Sequence, residues 1–137
     1  MPVAARLVAS VLLSGFLALP AHAQETAPAV APELSYSNKW RLEVSEGANN
    51  DGVMNFRVTP KGGAAIDIPV SLEKGRGEDG CARDIRDTFK KSLDKNVYKI
   101  EIDDGEDVLV KVRKGPDIAI ELVSSDVKGT RVNLDRE

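Results

Sequence analysis

The chain has 137 residues, with 19 Lys and Arg against 22 Asp and Glu, and a formal net charge of −3. This mild and mixed charge argues against nucleic-acid binding, which favours a basic patch. One cysteine and one histidine exclude a closed structural zinc site, which takes four Cys or His ligands.

Residues 1–23 have the pattern of a secretory signal peptide. Arg6 precedes an apolar run from Leu7 to Leu19, and Ala21-His22-Ala23 forms a small-x-small cleavage site. The run of about 13 residues is short of the ~20 that a membrane span requires, so a retained anchor is the less favoured alternative. We predict cleavage after Ala23 and a soluble protein in the periplasm or outside the cell.

Cleavage would also change the chemistry that the chain can perform. The only histidine leaves with the signal peptide, so a His-dependent nucleophilic triad is not expected. The loss of Arg6 lowers the net charge from −3 by one, to −4. Residues 24–35 contain Pro28 and Pro32 among alanines, which predicts an extended spacer. Residues 36–137 suffice for a single domain with one core.

Three segments with period-2 alternation precede the first glycine-rich connection, and each predicts a half-buried strand. Pro69 falls in the third segment and cannot donate a ladder hydrogen bond, so this strand should lie at a sheet edge or contain a bulge. The apolar positions of the three strands are Trp40, Leu42 and Val44, then Met54, Phe56 and Val58, then Ile66, Ile68 and Val70.

Residues 79–93 form the only convincing helix of the predicted mature chain. Ala82, Ile85, Phe89 and Leu93 fall on one face at helical spacing. Asp79 is the predicted N-cap, because a short carboxylate can accept the unpaired N–H groups of the first turn. Lys90, Lys91 and Lys95 gather near the C-terminal end, where the helix dipole favours cations.

Four further alternating segments follow the helix and end near Leu134. The first two surround the acidic stretch 103–107. Residues across an antiparallel pair share a face, so Ile102 should lie opposite Val108. A two-residue turn at Asp104-Gly105 would break that pairing, and we therefore predict a three-residue loop or a bulge. The element order βββ-α-ββββ, with short links, predicts an α+β fold: a single antiparallel meander sheet with one helix packed on one face.

Cys81 is the lone cysteine, at the start of the helix, and allows three interpretations. Free cysteines are among the most buried residues, so a small core residue beside Ala82 and Ile85 is the favoured one. A disulfide-linked dimer is the second, because an exported thiol lies in an oxidising compartment. A catalytic thiolate comes third, since no histidine remains to activate it.

Gly75-x-Gly77-x-x-Gly80 follows a strand and opens a helix, as a dinucleotide-binding fingerprint does. A single helix cannot build the βαβαβ half of that fold, and Glu78 and Asp79 would repel a phosphate. A flexible glycine-rich connection is the favoured interpretation.

Four carboxylates lie within five residues at the predicted hairpin tip, and clustered oxygens are the ligands that calcium prefers. The stretch lacks the spaced ligands and closing glutamate of an EF-hand, and carboxylates on one convex tip do not suit glycoside hydrolysis. A solvated turn is favoured, with weak calcium binding as the alternative. The candidate metal ligands are Asp103, Asp104, Glu106 and Asp107.

The leading functional hypothesis is an exported, non-catalytic domain that binds another protein or supports an envelope assembly; no cofactor is expected. There are three candidate contact residues. Pro69 lies on a predicted edge strand that a partner strand could join, Arg76 lies in the glycine-rich loop, and Cys81 could form a disulfide bridge with the partner. The alternatives are calcium binding or a carboxylate-dependent activity at the acidic tip, and inhibition of an exported enzyme by the loop 75–80.

Overall fold

The computed structural model describes residues 33–137, so the predicted signal peptide and most of the predicted spacer lie outside the described residues. The described chain folds in the order βββ-α-ββββ, which confirms the predicted element order. The elements are β1 (Lys39–Ser45), β2 (Gly52–Pro60), β3 (Ile66–Leu72), α1 (Glu78–Ser92), β4 (Tyr98–Asp103), β5 (Asp107–Val112), β6 (Ile118–Ser125) and β7 (Arg131–Arg136).

The strands form two antiparallel sheets, in the orders β4-β5-β1-β7 and β3-β2-β6. The α+β class is confirmed, but the single meander sheet is not: β1 pairs with β5 and β7, and β6 returns to pair with β2. Alternation shows that one face of each strand is buried, and it does not distinguish one curled sheet from two sheets that face each other.

The apolar faces of both sheets enclose one core, and a single tryptophan joins them. Trp40 on β1 is almost fully buried, and its indole N–H donates a 2.8 Å hydrogen bond to the backbone carbonyl of Ile118 on β6. Buried indole N–H groups need such a partner. An isolated bridge between Ser37 and Ile118 reinforces the same junction. The two sheets are therefore connected by a specific hydrogen bond as well as by packing.

Helix α1 contacts strands of both sheets, β3 of one and β1, β4 and β5 of the other. Its predicted apolar face is buried, and Phe89 meets Phe56 of β2 edge to face, with ring centroids 5.3 Å apart. Edge-to-face pairs add stability beyond the area that they bury. The prediction that Phe89 anchors the helix to the sheet is confirmed.

The helix begins at Glu78, with Gly77 as its N-cap and no side-chain cap. The prediction of Asp79 as the N-cap was therefore wrong. Gly77 takes the extended conformation of a cap, with φ −69° and ψ 169°, and its carbonyl accepts from the N–H of Cys81. Glu78 and Asp79 both fall in the first turn, where their charges are favourable to the helix dipole.

The β4–β5 hairpin has the predicted register. Ile102 pairs with Val108, and Asp103 pairs with Asp107, which leaves a three-residue loop. Asp104 has a φ of 50° and Gly105 a φ of 83°, left-handed conformations that asparagine, aspartate and glycine tolerate best. The parity of the apolar positions was thus sufficient to predict the length of this loop.

Strand β3 is an edge strand of the three-stranded sheet, as Pro69 predicted. Pro69 lies opposite Asn55 of β2 and is exposed. Since alternate residues of an antiparallel pair point their backbone groups outward, the missing N–H of Pro69 falls on the free edge.

The glycine-rich connection before α1 is held in place, which differs from the flexible linker expected. The N–H of Gly75 donates to the carbonyl of Ala48, and the N–H of Ala48 donates to the carbonyl of Arg76, both at 2.8 Å. The β6–β7 turn joins the same group through Asn49, whose N–H donates to the carbonyl of Lys128. Three loops distant in sequence are therefore hydrogen-bonded together at the N-terminal end of α1.

Candidate functional site

The three predicted contact residues occupy different environments. Pro69 is exposed on the edge of β3. Arg76 is exposed in the glycine-rich loop, and its guanidinium makes two 2.9 Å hydrogen bonds to the carboxylate of Asp84, which raise the pKa of Arg76. Cys81 is completely buried. Arg76 and Cys81 are neighbours, but because Cys81 is buried the three residues do not form one exposed surface.

Cys81 lies where the helix meets the loops of its N-terminal end. Its Sγ is 3.6 Å from the backbone carbonyl of Arg76 and 3.7 Å from Oγ1 of Thr130, which is also buried. This agrees with the interpretation of Cys81 as a small core residue. A disulfide-linked dimer stays a prediction, and it would require this end of the helix to open before the thiol could react.

The acidic hairpin tip does not bring its four carboxylates together around a common point. Asp103 and Asp107 both accept hydrogen bonds from the guanidinium of Arg41, while Asp104 is exposed at the turn. Within residues 33–137, no group of three or more His, Cys, Asp or Glu side chains is arranged to hold a metal ion. The geometry gives the proposed calcium site no support, and calcium binding at this tip stays an untested prediction.

Arg41 is the centre of a charged cluster on the outer face of the four-stranded sheet. It also binds Glu137, and its hydrogen bonds to Glu137 and Asp107 raise its pKa. Lys39 and Arg41 together lower the pKa of Glu137. The sequence did not predict this cluster, because Arg41 and Asp107 are 66 positions apart and meet only when β1 pairs with β5.

A concave groove of about 530 Å³ lies between the C-terminal end of α1 and β4. Its floor is apolar and consists of Leu93, Tyr98 and Ile100, each less than 10% exposed. Burial raises the pKa of the Tyr98 hydroxyl, so the phenol stays neutral. The volume falls in the range of ligand-binding pockets.

The rim of this groove is basic. Lys90, Lys95, Lys99 and Arg113 contribute from four separate segments of the chain, and Glu101 is the only acidic residue of the lining. Lys111 and Lys99 both hydrogen-bond to the carboxylate of Glu101 and lower its pKa to about 2. The negative charge within the groove is therefore already neutralised by two lysines.

Three of the four cations have no such partner. Among the described residues, Lys90, Lys95 and Arg113 make no ion pair with any carboxylate. In the sequence, Lys90 and Lys95 were interpreted as cations that favour the C-terminal end of the helix dipole, and they were not predicted to form a site. Arg113 follows β5 and joins them only because β4 and β5 pair, so the groove could not be recognised from one segment.

The sequence matches no protein-family model and no curated protein at a significant level. Within the part of the chain that the structure describes, no helix has both the length and the apolar character that crossing a membrane requires. Function is therefore inferred from the described side chains themselves.

Proposed function

We propose that this protein is an exported, non-catalytic module that binds another protein in the periplasm or outside the cell. The observation that carries the proposal is the groove beside β4, which combines an apolar floor with three basic side chains, Lys90, Lys95 and Arg113, that no described carboxylate neutralises. Concave apolar surfaces with a few polar groups at the margin are typical of recognition sites.

The sequence supports the non-catalytic part of the proposal. The single imidazole of the chain, His22, belongs to the predicted signal peptide. The single thiol, Cys81, is enclosed in the core, where it has no access to a substrate. With cleavage after Ala23 as predicted, the usual partners of nucleophilic catalysis are either removed with the signal peptide or inaccessible.

The edge of β3 is less favourable as the contact surface than the sequence suggested. Pro69 removes the central N–H from its free edge, and prolines at such positions discourage the addition of another strand. We therefore move the proposed contact from Pro69 to the groove. Residues 75–80, which form the end of the glycine-rich loop and the start of α1, remain the surface that the inhibitor hypothesis would use.

Site-specific photo-cross-linking in the native envelope tests the proposal. A photoreactive residue replaces Lys95 at the groove, Lys74 in the glycine-rich loop, or Lys128 in the β6–β7 turn, all of which are exposed. We expect one protein adduct of defined mass from position 95 and none from position 128. An adduct from position 74 alone would favour the inhibitor hypothesis, and no adduct from position 95 or 74 would contradict a protein-binding role.

Export is tested separately by sequencing the N-terminus of the protein isolated from its native cells. Cleavage after Ala23 predicts a first residue of Gln24. A protein that retains His22 would contradict both the export prediction and the argument from the missing imidazole.

A further inference from the structure

We infer that the groove binds an extended acidic segment of the partner protein, with one apolar side chain on the floor and carboxylates against the basic rim. This inference rests on the proposed function and specifies the chemistry of the partner. It is carried by three properties of the groove: its uncompensated charge, its recessed floor and the free backbone groups of its edge strand.

The charge of the rim favours several carboxylates along a chain over one anionic head group. Lys90, Lys95 and Arg113 come from the helix, the loop after it and the position after β5, so they line the groove from three separate segments. A segment with spaced acidic residues would pair with them without displacing the internal pairs of Glu101. Complementary charges of this kind increase the association rate and exclude partners of the wrong sign.

The floor favours a ligand that also carries an apolar side chain. Leu93, Tyr98 and Ile100 lie below the basic side chains and expose 5%, 8% and 6% of their surface. Inorganic phosphate alone would leave this apolar floor uncovered. A membrane surface is flat, and the one large apolar side chain that is exposed in the described region, Val123 on β6, is not part of the groove.

The edge of β4 offers backbone groups to an extended chain. The N–H of Arg113 donates to the carbonyl of Val97, which fixes these two as a hydrogen-bonded pair. Bonded and non-bonded pairs alternate along antiparallel strands, so the N–H and C=O of Ile100 point away from β5. No backbone partner for Ile100 on that side occurs among residues 33–137. A peptide could hydrogen-bond there as it does at other open sheet edges.

The test selects ligands with the mature chain and then removes the charge of the rim. A phage library of random heptapeptides is panned against the protein, and the most enriched peptides are synthesised for measurement of Kd. The charge-reversed variant is Lys95→Glu with Arg113→Glu. The matched control is Lys74→Glu with Lys128→Glu, which makes the same change of net charge at the other end of the helix. Thermal melting checks that both variants are folded, and Lys95→Gln with Arg113→Gln provides a neutral intermediate.

We expect the enriched peptides to combine two or more acidic residues with one apolar residue. Charge reversal at the rim should weaken their binding by at least about 10-fold, and the control pair by less than about 2-fold, because the interaction is local. The neutral variant should fall between them. Added salt should weaken binding to the wild type more than to the neutral variant.

Four results would overturn the inference. The first is enrichment of no peptide, or of peptides without acidic residues. The second is equal loss of binding in the rim and control variants. The third is binding to phosphatidylglycerol vesicles that depends on the rim while the peptides do not bind, which would assign the groove to a membrane surface. The fourth is a cross-linked partner at position 95 whose capture is unaffected by Arg113→Glu, which would refute the acidic segment and leave the proposed function intact.

Discussion

At its first turn α1 is held by loops from two other parts of the chain, whereas its last turn faces an open groove lined by lysines. Near the first turn, backbone hydrogen bonds join Gly75 to Ala48 and Asn49 to Lys128, which lie in three different loops. In the last turn and in the loop that follows it, Lys90 and Lys95 make no ion pair within the described chain. Backbone groups that are used internally are not available to a ligand, and this difference supports the proposal that the binding surface lies at the C-terminal end of the helix.

The largest effect is expected from the residue that anchors α1 to the three-stranded sheet. Phe89→Ala should lower the free energy of unfolding by about 3–5 kcal/mol, because Phe89 is fully buried and packs against Phe56. Urea unfolding of the mature chain measures the change. Lys91→Ala, at an exposed position of the same helix, should stay within about 0.5 kcal/mol. Equal effects of the two substitutions would mean that the helix is not anchored through Phe89.

The next largest effect is expected from Gly129→Ala, which tests whether the loops at the first turn of α1 are closely packed. Gly129 has a φ of 92°, and a Cβ added there would lie 2.5 Å from Nδ2 of Asn49 and 2.6 Å from the carbonyl of Gly47. Gly129→Ala should therefore cost about 1–3 kcal/mol. Gly75 has a φ of 86° but no heavy atom within 4 Å of such a Cβ. Gly75→Ala should lower the free energy of unfolding by less than Gly129→Ala does. Because the two glycines have similar φ angles, the difference between the two losses measures the steric contact at Gly129.

A smaller effect is expected at the groove, and it depends on pH. The pKa of Glu101 is lowered to about 2 from 4.5 by Lys111 and Lys99, so these pairs stabilise the fold above about pH 4.5. That stabilisation is lost as the pH falls from 4.5 towards 2. Glu101→Gln should therefore reduce the difference between the Tm at pH 6 and the Tm at pH 3. An unchanged difference would mean that Lys99 and Lys111 do not hold the carboxylate in solution.

The smallest effect is expected at the acidic tip. Asp104→Asn should change the free energy of unfolding by less than about 0.5 kcal/mol, because the side chain is exposed and asparagine also tolerates the φ of 50°. Calorimetric titration with calcium accompanies this measurement. If the wild type shows heat of calcium binding and Asp104→Asn does not, the calcium hypothesis is supported and the acidic tip is a second ligand site.

The sequence predicted what depends on local periodicity and not what depends on strand pairing. The order of elements, the buried face that contains Phe89 and the loop between Ile102 and Val108 all follow from spacing within short segments. The division into two sheets does not follow from spacing, because it depends on which strands β1 and β6 pair with.

The candidate site was missed for the same reason. Lys90 and Lys95 were visible as cations near a helix end, but the groove also requires Arg113 and the apolar Ile100, which reach it through the pairing of β4 with β5. Pro69, by contrast, predicted an edge strand because proline lacks a backbone N–H, and that prediction was confirmed. A single residue with an unusual backbone, such as proline, can predict local structure from the sequence alone. A surface that several strands form can be predicted only when the register of those strands is known.

The hydrogen bond between the indole of Trp40 and the carbonyl of Ile118 has a practical consequence. Trp40 is the only tryptophan of the chain and lies where the two sheets meet, so its fluorescence reports their separation without any added label. Its emission should shift to longer wavelength when the sheets part and water reaches the ring. Since Trp40 does not line the groove, a ligand seated there should leave this emission unchanged, which distinguishes occupancy from unfolding in one optical measurement.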